Sequence, residues 1–239
     1  MENLLQRLEK NWELCFLDED LEKTTLKKRK KVSLRVIVCV SGGSDSVALL
    51  HLLHKLRKLL FLELHILHFN HQLRPESNQE QRFVKKLAEN LQIPFYSKKN
   101  NDFFKGQSGF QKLARDWRIS ESCNLLETLG GDYIATGHHA DDQIETLLLK
   151  LLRGVHVSKL KGMSWSKTPF IRPLLNCRKS ELQDYLNKNK LTWMEDYSNQ
   201  STNYLRNRVR LELIPLLEEL TREGLQSRIF DLIHQSRIL

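Results

Sequence analysis

The run Val36-Ile37-Val38-Cys39-Val40 is β-branched almost throughout, and it leads without a break into Ser41-Gly42-Gly43-Ser44-Asp45-Ser46. An apolar run of this kind reads as a strand buried on both faces, the habit of parallel sheets covered by helices. The stretch from Val47 to Leu60 then has the apolar density of a helix. Strand, glycine-rich turn and helix in that order commit the chain to a βαβ architecture.

The alternation continues. Residues 62–69 read as a second strand, and 76–91 as a helix ended by Pro94. Phe95 and Tyr96 sit in a third strand, and 111–129 is a helix stopped at Gly130-Gly131. Residues 133–136 form a fourth strand, 140–153 a helix closed by Gly154, and Phe170-Ile171 a short fifth strand. Beyond it only helices are expected, at 178–189, 203–220 and 223–236. This order predicts an α/β fold: a Rossmann-like parallel sheet with helices on both faces, plus a C-terminal helical extension. The expected divisions are 1–31, a helix and basic linker; 32–176, the sheet domain; and 177–239, the extension. In the first, Leu4, Leu5, Leu8, Trp12 and Cys15 recur at helical spacing. The run Lys27-Lys28-Arg29-Lys30-Lys31 reads as a solvated loop or a nucleic-acid contact.

The 41–46 loop is built for an anion. Two glycines let the backbone approach a ligand, the helix start offers unpaired amides, and the serines add hydroxyl donors. It is neither GxxxxGK[ST] nor GxGxxG, so no lysine reaches the terminal phosphates. That suits an ATP cleaved at its α-phosphate with loss of pyrophosphate. Asp45 beside phosphate calls for a bridging Mg2+. A plain tight turn with a serine cap is the alternative.

The second motif is Gly137-His138-His139-Ala140-Asp141-Asp142-Gln143-Ile144-Glu145-Thr146. His138, Asp141, Asp142 and Glu145 stand at i, i+3, i+4 and i+7, one face of a helix. Such acids repel each other unless Mg2+, a substrate ammonium or an arginine joins them. A solvated acidic first turn is the alternative, and a zinc site lacks a third nitrogen or sulfur ligand. Both motifs follow strands, and in open α/β sheets the ligand crevice lies at that carboxyl edge.

A surplus of 38 Lys+Arg over 29 Asp+Glu, net +9, points to an anionic partner, most simply nucleic acid. The basic segments include Asn70, His71 and Arg74 after the second strand, Arg115 and Arg118 on a helix, and Arg206, Arg208 and Arg210 near the end. Trp165, Phe170, Trp193, Tyr197 and Tyr204 are interleaved with such residues, as base-stacking groups or as core. The four cysteines, Cys15, Cys39, Cys123 and Cys177, lie far apart with no CxxC, which rules out a zinc ribbon and suits a reducing compartment. No apolar run is long enough to span a bilayer, and the first residues lack the look of a signal or transit peptide.

Together these stretches resemble one family, the tRNA(Ile)-lysidine synthetases of the PP-loop ATP pyrophosphatase superfamily. The resemblance is carried by VSGGSDS (40–46), LHFNHQLRPES (67–77), ATGHHADDQIETLLLKLLRG (135–154), IRPLLNCRKSEL (171–182) and DYSNQSTNYLRNRVRLELIPLL (196–217). It implies an adenine nucleotide alpha hydrolase-like fold, with 32–176 as the ATPase domain. It implies ATP-dependent attachment of L-lysine to carbon 2 of the wobble cytidine in tRNA(Ile) with anticodon CAU, through an adenylated tRNA. By that resemblance Ser41, Gly42, Gly43, Ser44, Asp45 and Ser46 hold ATP, with Asp45 on Mg2+. Asp45, Arg115, His138, Asp142 and Glu145 are catalytic, with Asp142 or Glu145 as the base. Asn70, His71, Arg74, Arg118, Arg206 and Arg208 meet tRNA. Ile119 stands where the family's ARxxRY motif has its aromatic. The chain reads as a short form without the further C-terminal tRNA-binding domains of many bacterial members, at work in a cytoplasm or a plastid stroma. Its oligomeric state is open, a homodimer being one option.

Two rivals stand beside this reading. A PP-loop tRNA thiolase relies on paired cysteines, which the spacing denies. A non-catalytic RNA- or nucleotide-binding module would not need the intact 41–46 and 138–145 motifs. The synthetase reading requires both motifs at one rim of the sheet.

Overall fold

The computed structural model describes residues 3–16, 33–72, 77–100, 109–195, 205–222 and 224–238. Its centre is a six-stranded sheet in the order β3-β2-β1-β4-β6-β5. The strands are β1 (Leu34–Cys39), β2 (Leu62–Asn70), β3 (Phe95–Lys99), β4 (Tyr133–Ala135), β5 (Ser166–Lys167) and β6 (Phe170–Ile171). Every neighbouring pair is parallel except β5 and β6. That short antiparallel edge hairpin departs from the purely parallel expectation. Two-residue strands carry no periodicity, so β5 leaves no mark in the sequence.

The fully buried Val36, Ile37 and Val38 in β1 reflect a sheet covered on both sides. Period-2 alternation sorts their side chains. Val36, Val38, Val40, Leu62, Leu64 and Ile66 face a large cluster filled by four helices: α1 (Leu4–Leu14), α2 (Ser44–Leu56), α3 (Ser77–Leu91) and α6 (Lys179–Lys188). Ile37, Leu67 and Ile134 face the opposite side, where Leu125 and Leu126 of α4 (Phe110–Leu129) cover them. Trp165 and Trp193 pack on the first cluster and Phe170 on the second, so these aromatics serve the core.

The C-terminal helices are α7 (Leu205–Arg208), α8 (Ile214–Thr221) and α9 (Leu225–Ile238), and a third cluster joins α5 (Ala140–Leu152) to α8, α9 and the turn after α7. Ile144, Leu147 and Leu148 of α5 meet Val209, Ile214, Leu225, Ile229 and Ile233 there. Between α7 and α8 the chain widens into a π turn, Val209–Leu213, where Ile214 N–H donates to Val209 O. Most element bounds lie close to the sequence expectation; α1 ends at Leu14, α2 runs from Ser44 to Leu56 and not from 47 to 60, and the expected 203–220 helix is interrupted by the π turn.

The topology places the site. Connections from β1 run outward to β2 on one side and, later, to β4 on the other, so the order reverses between β1 and β4. Their carboxyl ends open the crevice that α/β folds use for ligands. The two sequence motifs follow these two strands.

Candidate active site at the carboxyl edge of the sheet

The 41–46 loop is tightly laced. Gly42 has φ +102°, a region costly for any residue with a side chain. Its carbonyl accepts from Met194 N–H at 2.9 Å, which ties the loop to the segment after α6. Ser46 is a brace: its hydroxyl donates to Gly43 O at 3.0 Å and accepts from Ser41 N–H at 3.2 Å. Gly43 precedes α2 with no side chain capping the helix start. The first turn therefore presents amides and the positive end of the helix dipole to the crevice.

Gly137 joins the motifs. A Cβ there would stand 3.2 Å from the backbone of Asp45 and Ser46. Any side chain at 137 would push the strand-end of β4 and the 41–46 loop a few tenths of an ångström apart.

Helix α5 begins at Ala140, so His138 and His139 precede it, and His139 is extended at φ −131°, ψ −176°. The expected helical spacing from His138 is thereby broken, and the two histidines part. His138 turns to Thr136: His138 Nδ1 and the Thr136 hydroxyl share a hydrogen bond at 2.8 Å, and the same hydroxyl lies 3.4 Å from Ile171 O. Burial drives the His138 pKa down to about 4, helped by the charges of Arg172, Arg206 and His139 and opposed by Asp142, so the ring is neutral at pH 7.

His139, which the sequence analysis did not single out, is the hub. Its side chain is 4% exposed, with Nε2 3.4 Å from Asp45 Oδ2 and 3.5 Å from Asp142 Oδ2, and Nδ1 3.2 Å from Asp141 Oδ2. Burial opposes a charge on this ring. Hydrogen bonds to Asp141 and Asp45, with the charges of Asp142 and Asp45, outweigh it and raise the pKa to about 10. His139 is an imidazolium at neutral pH. In return Asp45 and Asp141 are held below the usual carboxylate range: burial works against this, and His139 and the Lys179 segment overcome it. The backbone N–H of Lys179 donates to Asp141 Oδ2 at 2.8 Å.

One turn on, Glu145 is fully buried. Arg206 Nε donates to its Oε2 at 2.8 Å, and Arg210 Nε takes its Oε1. The same guanidinium groups lie 3.4 and 3.7 Å from Asp142 Oδ1. The cations that the acidic spacing demands thus come from the chain itself.

The other expected site residues are placed as follows. Arg208 turns away from the acids and pairs with Glu212 at 2.9 Å on the exposed side. Asn70 is buried, donating to Asn78 and Gln81 at 3.1 and 2.8 Å and accepting from Gln72 N–H at 3.0 Å, so it braces the end of β2. His71 stacks edge-on to Trp117 with ring centres 5.3 Å apart. Arg118 Nε donates to Ala114 O at 3.3 Å. Arg115 reaches the site through charge, acting on Arg172. Arg74, Tyr197, Tyr204 and the 27–31 run lie outside the described residues. Besides His139, the residues that sequence reasoning left without a role are Gly137 and Arg172. Arg210, read with Arg206 and Arg208 as a basic segment for an anionic partner, holds Glu145 instead.

The donor set does not suit a resident metal. Asp141, Asp142 and Glu145 are committed to His139, Arg206 and Arg210, and the described residues hold no His/Cys/Asp/Glu group arranged around a metal position. Magnesium that arrives with phosphates and water needs only one or two carboxylates. Asp45, with its side chain 26% exposed, suits that lesser role. No helix among the described residues is long and apolar enough to cross a membrane.

Comparison with known proteins fits this geometry. The chain is 34% identical over 189 residues to a tRNA(Ile)-lysidine synthase of Petrotoga mobilis, a match covering 78% of this chain and 61% of that protein. It is 40% identical over 185 residues to the tRNA(Ile)-lysidine synthase of Rickettsia bellii, covering 75% of this chain and 42% of the other. The chain therefore spans about half the length of the curated relatives it matches. Among solved structures, the U34-tRNA thiolase NcsA from Methanococcus maripaludis superposes with a TM-score of 0.71 at 17% identity, covering 96% of this chain and 77% of that one, which is a likeness of fold. A family model described as the PP-loop domain matches residues 17–217, most of the chain and both motifs of the rim, and the chain belongs to that family.

Proposed function

We propose that this chain attaches L-lysine to carbon 2 of the wobble cytidine of tRNA(Ile) with anticodon CAU, using ATP and releasing pyrophosphate and AMP. The relatives' activity supports the chemistry. The observation that carries it to this chain is the contact between the two motifs: His139 bridges Asp45 of the loop to Asp141 and Asp142 of the acidic turn. An ATP on the loop and an amino acid beside the acids would then share one crevice.

In this reading the cytosine 2-carbonyl oxygen attacks the α-phosphate of ATP. The 41–46 loop and the start of α2 would hold the departing pyrophosphate. Asp45 would hold the magnesium that accompanies the nucleotide, which supplies positive charge to the leaving group. The lysine ε-amine then attacks carbon 2, forming the C–N bond as the C–O bond to AMP breaks. The amine must first lose a proton. Both oxygens of Glu145 are taken by guanidinium groups, whereas the contacts of Asp142 are longer, which favours Asp142 as the acceptor. Around the four carboxylates (Asp45, Asp141, Asp142, Glu145) stand His139, Arg206, Arg210 and the charge of Lys179, and a substrate ammonium would join them beside Asp142.

The test is incubation with labelled lysine, ATP and a panel of tRNAs. Label in the CAU isoleucine tRNA alone, with pyrophosphate exchange dependent on that tRNA, is the expected result. Nucleotide binding without exchange or label would leave only a binding module.

A further inference from the structure

Several arginines among the described residues present the Nε side of the guanidinium to a carboxylate. Arg35 grips Glu63 through Nε and Nη2 at 3.0 and 3.1 Å, and Arg208 grips Glu212 the same way at 3.0 and 2.9 Å. Arg206 and Arg210 present Nε to Glu145. Arg172 breaks the pattern. Its Nη1 donates to Ser164 O at 3.0 Å and its backbone N–H to Trp165 O at 2.8 Å, which fix the side chain from behind. Its Nε is buried and has no hydrogen-bond partner.

A buried donor on a permanently charged group is costly to leave unmet. Arg172 directly follows β6, so it stands at the same carboxyl edge as the two motifs, one strand beyond β4. Its charge is felt at His138, and Arg115 adds a second positive charge nearby. Asp142 acts on the same ring with negative charge, and Arg206 and His139 act on it with positive charge. A neutral ring among charges of both signs suits a zwitterion. The phosphate-type loop belongs to β1, two strand spacings or roughly 10 Å away across the sheet.

We propose that Arg172 is the carboxylate-binding residue for the amino-acid substrate, its unpartnered Nε donating to the α-carboxylate of lysine beside His138. This assignment rests on the function proposed above and adds a subsite to it. A planar carboxylate matches the guanidinium edge in geometry as well as charge. It also gives Arg172 a role in choosing a free amino acid over a bare amine.

L-lysinamide tests this, because it keeps both amino groups and lacks the carboxylate. With wild-type protein, lysinamide should show a KM roughly 10- to 100-fold above that of lysine, the loss of one charge-assisted pair. Arg172→Gln should raise the lysine KM by a similar factor and leave that of lysinamide where it was, erasing the preference. Arg172→Lys should restore part of it. Three results would overturn the assignment: equal use of both compounds by wild type, a preference intact in Arg172→Gln, or adenylation of tRNA slowed in that variant as much as lysine transfer. The last would put Arg172 on a phosphate. Where the variants fail to fold, equal use of lysine and lysinamide by wild type would still overturn the assignment. Absence of transfer to any tRNA by wild type would instead sink the proposed function, and this subsite with it.

Discussion

At the start of α5 one imidazolium faces three carboxylates; a turn later two guanidinium groups face two, with Asp142 shared between the sets. The two ends differ in origin. Three of the four residues at the His139 end lie within positions 139–142, and the fourth, Asp45, comes from the adjacent loop. The Glu145 end joins positions 61 and 65 residues apart in sequence. The first fixes the crevice to the sheet. The second fixes the C-terminal helices to the crevice, because Val209, between the two arginines, is buried in the cluster under α5. One charge cluster shapes the site and the other holds a layer in place.

That contrast breaks most visibly at Glu145. Glu145→Ala leaves Arg206 and Arg210 facing a cavity with their partner gone. Removing one member of a buried ion pair costs about 3 kcal/mol or more, and the partial exposure of both arginines puts this case at the low end. Urea denaturation should show that loss. Adding Arg210→Ala should recover part of it, since one stranded charge is then removed. Strict additivity of the two changes would mean that Glu145 and Arg210 are not coupled.

A second effect separates the ends by pH. The His139 pKa rises from 6.5 in the unfolded chain to about 10 in the folded one. Folding therefore gains from the protonated ring. The gain is complete below about pH 6.5, shrinks as pH rises, and is lost above about pH 10. The Tm in metal-free buffer should fall across that window, and His139→Gln should flatten the fall while lowering the Tm at pH 7. The Glu145 end carries guanidinium groups, which keep their protons throughout, so Glu145→Ala should leave the slope in place. An unchanged slope in His139→Gln would remove the imidazolium from the account.

The same contrast explains what the sequence disclosed. Strand, loop and helix around the 41–46 loop were legible because β-branched runs, glycines and apolar periodicity act over a few residues. The acidic turn was legible as a cluster in need of cations. Which histidine serves it was not: the spacing argument counted from His138, but the helix starts at Ala140, and the extended backbone at His139 sends the neighbouring rings in different directions. Asn70 has the type and place of a ligand contact, and nothing local reveals that Asn78, Gln81 and Gln72 use its polar atoms. The partners of Glu145 depend on packing between distant helices, and Arg208 looked as suitable as Arg206 until the faces were known.

Arg208 gives the smallest effect and a sharp control. It is two positions from Arg206, carries the same charge, and points to the opposite side, where its pairing with Glu212 is exposed at both ends. Solvent screens such a pair, and the ordering of two long side chains offsets most of its attraction. Arg208→Ala should leave the urea midpoint and the pH slope unchanged, whereas Arg206→Ala should lower the midpoint, because it uncovers Glu145. If Arg208 also meets tRNA, as the sequence suggested, its loss should weaken tRNA binding and reduce the salt dependence of that binding by about one phosphate contact. A midpoint shift in Arg208→Ala as large as that in Arg206→Ala would mean that the helix faces are assigned the wrong way round, and the division between site-shaping and layer-holding charges would go with them.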